Sequence, residues 1–115
     1  MDLVSVDSSI QNQDFLKETT SQLEKDFLMV GVNFDIEKPV ESYKDLFSFT
    51  FNLINSLNER DPKRLLNLLY RIDLDEEKVK VEMNKTELSF TEMLSAMIVK
   101  RALKKVITKN YYANI

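Results

Sequence analysis

The chain of 115 residues contains no His, no Cys and no Trp, and its single Gly is Gly31. His is the usual acid or base at neutral pH and the commonest metal ligand, and Cys supplies thiolate nucleophiles and soft-metal ligands. One Gly leaves no Gly-rich loop whose backbone N–H groups surround a phosphate. We therefore expect no catalytic residues, no cofactor, no metal site and no enzymatic activity. An enzyme that uses only carboxylates, Lys, Ser or Tyr is the remaining alternative.

Acidic residues are plentiful, and one group of them has the spacing of a calcium loop. Asp73, Asp75 and Glu77 occupy the first, third and fifth positions of such a loop. Its sixth position is Lys78, where the sharp turn needs Gly, and its twelfth is Asn84, where a bidentate Glu is needed. We interpret these acids as helix-capping residues.

Targeting and membrane signals are also missing from the sequence. Residues 1–8 have neither the basic region nor the apolar region of a signal peptide. The densest apolar run, at 27–34, is far too short to span a bilayer. The lack of Cys fits a reducing compartment. The expectation is a cytoplasmic protein with no membrane association.

Helical periodicity dominates what is present. Apolar residues recur at helical spacing over 11–30, 42–59, 62–72 and 90–108. A short helix with Glu76 and Glu77 in its first turn is expected between the last two of these segments. The boundary signals are Gly31 as a helix stop, Ser42 with Asp45 and Ser89 with Glu92 as capping boxes, and the pair Asp61-Pro62 as a helix start. Asp73 or Asp75 is the expected cap of the short helix. The predicted inward faces include Leu16, Thr20, Leu23, Phe27 and Val30, then Leu65, Leu66, Leu69 and Ile72, and then Val79 and Met83.

Two segments have β alternatives. Residues 47–53 alternate Phe and polar residues with the period of a strand, but the helical spacing continues to Leu57 and a cap precedes it. A hairpin at 79–90 would place Glu82 opposite Glu87, which repels. We therefore predict an all-α, single-domain bundle of four to five helices, with an α+β fold carrying a hairpin at 79–90 as the alternative. A flexible N-terminal arm at 1–9 precedes a helical domain at 10–109, and a C-terminal tail occupies 110–115.

Charge is distributed unevenly along the chain. All 19 acidic residues and 11 of the 16 basic residues lie in 1–92, which carries −8, while 93–115 carries +5. The basic residues of the last helix are Lys100, Arg101, Lys104, Lys105 and Lys109. Such a cluster suits the negative end of its own helix, the docking of an acidic protein, or nucleic-acid phosphates. The overall acidity and the pI of about 5.0 disfavour nucleic acid.

The helix at 42–59 has an unusually broad apolar surface. Phe49 and Phe51 flank its inward face, so that well over half of its circumference is apolar. A helix of this kind is central in a bundle or is covered by a partner. We therefore expect a protein-interaction or adaptor module that binds another protein or a second copy of itself. A nucleic-acid-associated regulator that uses the basic helix is the alternative. The candidate partner-binding residues are Phe49, Phe51, Lys100, Arg101, Lys104 and Lys105.

The segment 65–79 (LLNLLYRIDLDEEKV) resembles short, all-helical, uncharacterised proteins of Bacteroidetes bacteria. Those proteins also tend to end in a basic helix followed by aromatic residues, so the resemblance covers about the last half of the chain. It implies a bacterial protein with a helical fold and implies no activity.

Overall fold

The computed structural model describes residues 13–36, 38–74 and 76–113. Within these ranges the chain forms five helices and no strand, and 78% of the residues are helical. The helices are α1 (Gln13–Met29), α2 (Tyr43–Arg60), α3 (Pro62–Arg71), α4 (Glu76–Met83) and α5 (Phe90–Ala113). The all-α prediction is confirmed. Both β alternatives are wrong, because 47–53 lies inside α2, and 79–90 comprises the second half of α4, a six-residue connector and the first residue of α5. The predicted arm at 1–9 lies outside the described residues.

Three helices begin at the side chains that the sequence predicts. In each case a side-chain oxygen accepts a hydrogen bond from the backbone N–H three residues ahead, which satisfies a donor that the first turn leaves free. The pairs are Ser42 with Asp45 at 3.1 Å, Asp61 with Arg64 at 3.2 Å and Ser89 with Glu92 at 3.2 Å. Asp45 also accepts from the N–H of Glu41, and Glu92 accepts from the hydroxyl of Ser89. These local bonds place the starts of α2, α3 and α5.

Gly31 ends α1, as predicted. Its φ of +78° lies in the left-handed region that side chains with a Cβ rarely adopt. The N–H of Gly31 donates to the carbonyl of Leu28, and the N–H of Val32 donates to that of Phe27, both at 2.9 Å. This pair of bonds is the Schellman motif, which satisfies carbonyls at a helix end. Arg64 of α3 donates to the Gly31 carbonyl at 3.2 Å and so ties this turn to the bundle.

The long helix α5 is the centre of the bundle. It packs against α1, α2 and α4, while α3 packs against α1 and α2. The largest fully buried apolar side chains are Leu23, Phe27, Leu46, Ile54, Leu68, Ile72, Leu94, Ile98 and Leu103. Phe34, from the connector between α1 and α2, adds its ring between those of Phe27 and Phe49. The core is therefore shared by all five helices and this connector.

Some predicted inward residues face outward. On α3, Leu68 is fully buried and Leu66 is exposed, because this helix turns the ridge of Leu65, Leu68, Leu69 and Ile72 toward α1 and α2. On α1, Thr19 is fully buried in place of the predicted Thr20. Met83, the last residue of α4, is about half exposed.

The last helix extends further than its sequence pattern indicates. The apolar spacing predicts an end near Thr108, but α5 runs to Ala113. Near this end, the amide of Asn110 donates to Glu18 of α1 at 2.7 Å and to the carbonyl of Val106 at 2.8 Å. Contact with α1 therefore supports helical turns that have no apolar pattern of their own.

Candidate binding groove

A shallow groove runs between α4 and α5. Its two adjoining hollows have volumes of about 350 and 370 Å³ and share Leu74, Glu82 and Met97 in their lining. Its apolar lining consists of Leu74, Val81, Leu88, Met93, Ala96 and Met97. We refer to this feature as the α4/α5 groove.

The groove exists because α4 is short and covers α5 incompletely. This helix has only eight residues, and its main packing partner is α5. Val79 points into the bundle and is buried. Val81 and Leu88 face the groove, and each retains about half of its exposure, at 48% and 51%. Apolar side chains on both sides of a depression are thus accessible to another molecule.

The α5 wall of the groove is basic. Lys100 and Lys104 are exposed, and no ion pair engages either of them within the described parts of the chain. Arg101 also lines this wall, but its Nε donates to the carbonyl of Ile72 at 3.1 Å. Its guanidinium lies 3.9 Å from Asp73. Arg101 therefore anchors the end of α3, and the two lysines are the available charges.

The α4 wall is acidic. Glu77 and Glu82 line the groove, and neither has an ion pair among the described residues. Lys78 stands between them in sequence, but its ammonium group donates to the Asp73 carbonyl at 3.0 Å and to the Asp73 carboxylate at 3.2 Å. Asp73 engages Lys78, so Glu77 and Glu82 are the charges of this wall that have no ion pair among the described residues.

Asp73 holds the base of the groove in place. Its φ of +63° is in the left-handed region, and it ends α3 with the same pair of backbone bonds that Gly31 makes at α1. Asp73 therefore forms the C-terminal cap of α3. The predicted alternative in which Asp73 caps the start of α4 is wrong. Asp75, the other alternative, lies outside the described residues.

The predicted basic residues separate into two sets. Lys100, Arg101 and Lys104 line the groove together. Lys105 faces α1, where its ammonium group lies 3.8 Å from the carboxylate of Asp26. Asp26 is 6% exposed and also accepts a hydrogen bond from Gln22 at 3.1 Å. Lys105 thus contributes to the packing of α1 on α5.

The two predicted aromatic residues are not part of the groove, and they do not lie together. Phe49 packs edge-on against Phe34, with ring centroids 4.8 Å apart. Phe51 stacks with Phe47 at 6.4 Å. Because two positions along a helix differ by about 200°, Phe49 and Phe51 lie on opposite flanks of the buried face of α2. Phe49 also lines a separate hollow of about 940 Å³ beside Pro39 and Val40.

Residues that the sequence analysis did not predict as partner-binding also line the groove. These are Glu77, Val81, Glu82, Leu88 and Met97. Helical spacing places Met97 on the side of Lys100 and Lys104, since these positions are three and seven residues apart. The residues of α4 could not be assigned to the groove from the sequence, because that assignment depends on how α4 packs against α5.

Neither a metal-binding cluster nor a membrane-spanning helix is present in the described ranges. Residues 13–36, 38–74 and 76–113 contain no group of three or more acidic residues placed to hold a metal ion. No helix in this part of the chain is both long enough and apolar enough to cross a membrane. Comparisons with protein-family models, with curated proteins and with solved structures found no match to this chain.

Proposed function

We propose that this chain is a non-enzymatic, cytoplasmic protein-interaction module that binds its partner protein through the α4/α5 groove. The observation that carries the proposal is an accessible apolar floor between two walls that bear uncompensated charges. Apolar surface supplies most of the free energy of association. Charges at its edges set orientation and exclude wrong partners.

Nucleic acid is the second ligand class, and the exposed pair Lys100 and Lys104 is the feature that favours it. Phosphates that approach these lysines also approach Glu77 and Glu82 across the groove. A net charge of −3 adds a further repulsion. A partner protein with its own apolar side chains suits this surface better than a polyphosphate does.

Affinity capture with matched charge variants tests the proposal. The wild-type chain, the groove variant Lys100→Glu/Lys104→Glu and the control Lys44→Glu/Lys63→Glu each carry one tag. The control reverses the same amount of charge at two exposed positions outside the groove. Each protein is incubated with a lysate of the source organism, with and without nuclease, and bound proteins are quantified by mass spectrometry.

We expect the wild type and the control to retain a nuclease-resistant protein, a second copy of the chain included, and the groove variant to lose it. Binding that disappears with nuclease would replace the proposal with the nucleic-acid alternative. Equal retention by all three proteins would show that the groove is not the binding surface.

A further inference from the structure

The α4/α5 groove has a charge pattern that is complementary to itself. Glu77 and Glu82 stand on one wall, and Lys100 and Lys104 stand on the other. None of these four side chains has an ion-pair partner within the ranges that the structure describes. The acids and bases of one molecule are thus available to a second molecule.

A two-fold axis that runs along the groove, between two copies of the chain, places the walls of one copy opposite the walls of the other. Such an axis brings the copies face to face and exchanges the left and right sides of the groove. The acidic α4 wall of each copy then faces the basic α5 wall of the other. Opposite charges meet on both sides of the axis, because symmetry repeats each contact. A two-fold axis across the groove would instead oppose like charges.

Apolar side chains lie between the charged walls. Val81 and Leu88 are about half exposed, and Met97 is partly exposed. In the face-to-face arrangement these side chains enter the hollows of the opposite copy, which measure about 350 and 370 Å³. Their burial supplies the association free energy that exposed ion pairs alone do not supply.

We propose that the partner bound in the α4/α5 groove is a second copy of this chain, related by a two-fold axis along the groove. This inference rests on the proposed function and names the partner for that site. Charge complementarity of the surface with itself selects a second copy over an acidic partner, because an acidic partner would leave Glu77 and Glu82 facing like charges.

Two opposite charge reversals test the proposal by sedimentation velocity over a range of protein concentrations. The base-reversed variant is Lys100→Glu/Lys104→Glu, and the acid-reversed variant is Glu77→Lys/Glu82→Lys. We expect the wild type and the Lys44→Glu/Lys63→Glu control to form a dimer. Each reversed variant alone should raise the dissociation constant by at least about tenfold, since like charges then face each other. An equimolar mixture of the two variants should recover a dimer, because acidic residues at positions 77, 82, 100 and 104 of one variant then face basic residues at the same positions of the other.

Three outcomes would overturn the inference. They are a wild-type monomer at every concentration, a dimer that both reversals leave intact, and folded variants that do not associate when mixed. A monomeric wild type leaves the capture experiment to decide the proposed function separately. That function still stands if the groove variant loses a different captured protein.

Cross-linking supplies a measurement that does not depend on charge variants. Because the chain contains no Cys, a single introduced Cys reacts alone. Met97→Cys lies on the floor of the groove, near the proposed axis, and Leu66→Cys is a control at an exposed position of α3. A short bis-maleimide should link two Met97→Cys chains at least about tenfold faster than two Leu66→Cys chains. Equal rates would contradict the proposed axis.

Discussion

The two sides of α5 differ in how completely the neighbouring helices cover them. On the closed side, which faces α1 and α2, Leu94 and Ile98 are buried and Lys105 pairs with Asp26. On the open side, which faces the groove, Met97 is partly exposed and Lys100 has no ion pair within the described residues.

Because of this difference, residues on the closed side of α5 serve mainly the stability of the fold, and residues on the open side are available for binding. Polar groups on the closed side lose water, so that they need protein partners to avoid a desolvation cost. Charges on the open side keep their water until a partner replaces it. We therefore expect substitutions on the closed side to change the free energy of unfolding and substitutions on the open side to change association.

The largest expected contrast is between two leucines. Leu94→Ala should lower the free energy of unfolding by about 2–5 kcal/mol, because it leaves a cavity where the side chain is fully buried. Leu88→Ala should lower it by less than about 1 kcal/mol, because Leu88 is already half exposed. Urea denaturation at a protein concentration at which the chain is monomeric, followed by circular dichroism, measures both. Equal losses would remove the distinction between the two sides.

Two lysines, one on each side of α5, should differ in the same way in their effect on folding stability. Lys105→Ala removes the cation beside the nearly buried Asp26 and should cost about 1–2 kcal/mol of folding stability. Lys100→Ala should change stability by less than about 0.5 kcal/mol, because its side chain is exposed and unpaired within the described residues. The same denaturation experiment compares the two variants. A larger loss of stability for Lys100→Ala than for Lys105→Ala would contradict the assignment of Lys105 to the closed side and Lys100 to the open side.

Two buried threonines differ in whether their hydroxyl groups have hydrogen-bond partners. Thr19 donates to the carbonyl of Phe15 at 2.6 Å and bonds with the hydroxyl of Tyr43 at 3.2 Å. The hydroxyl of Thr50 is fully buried with no hydrogen-bond partner in the described structure. Thr19→Val should cost about 1 kcal/mol, whereas Thr50→Val should be neutral or should stabilise by up to about 1 kcal/mol. Destabilisation by Thr50→Val would show that this hydroxyl has a partner.

The smallest expected effect concerns alkaline pH. Burial raises the pKa of Tyr43 above its usual value of 10.0, and the hydrogen bond with Thr19 partly opposes this shift. The folded state therefore retains the proton after the unfolded state has lost it, so stability falls as the pH rises above about 10. Tyr43→Phe lacks this ionisation and should lose less stability over the same range. Parallel stability curves for the two proteins would contradict the raised pKa.

Helix ends were predictable where a local signal marks them. Ser42, Asp61 and Ser89 cap helices because a short polar side chain reaches an N–H group only three residues away. Gly31 ends α1 because it adopts a positive φ at little cost. Asp73 ends α3 with the same backbone bonds but without Gly. Its ion pairs with Lys78 and Arg101 come from later helices, which a local signal does not reveal.

The candidate groove was predictable in part. Lys100, Arg101 and Lys104 share a wall because their spacing on one helix brings them together. Lys105 is the next residue along and belongs to a different environment, because Asp26 of α1 lies beside it. The sequence predicts that Phe49 and Phe51 flank the inward face of α2, and each of them packs against a different ring, Phe34 and Phe47 respectively, so they do not form one binding surface.

The sequence by itself determined the helical class, the starts of three helices, the stop at Gly31 and the basic character of the last helix. These features depend on residues within one or two helical turns, and periodicity and capping act over that range. Only the tertiary structure decided that α5 is central, that Asp26 engages Lys105, and that α4 leaves a groove with walls of opposite charge. The physical reason is that burial and pairing depend on which distant segments meet, and the compact arrangement of all five helices selects those contacts together.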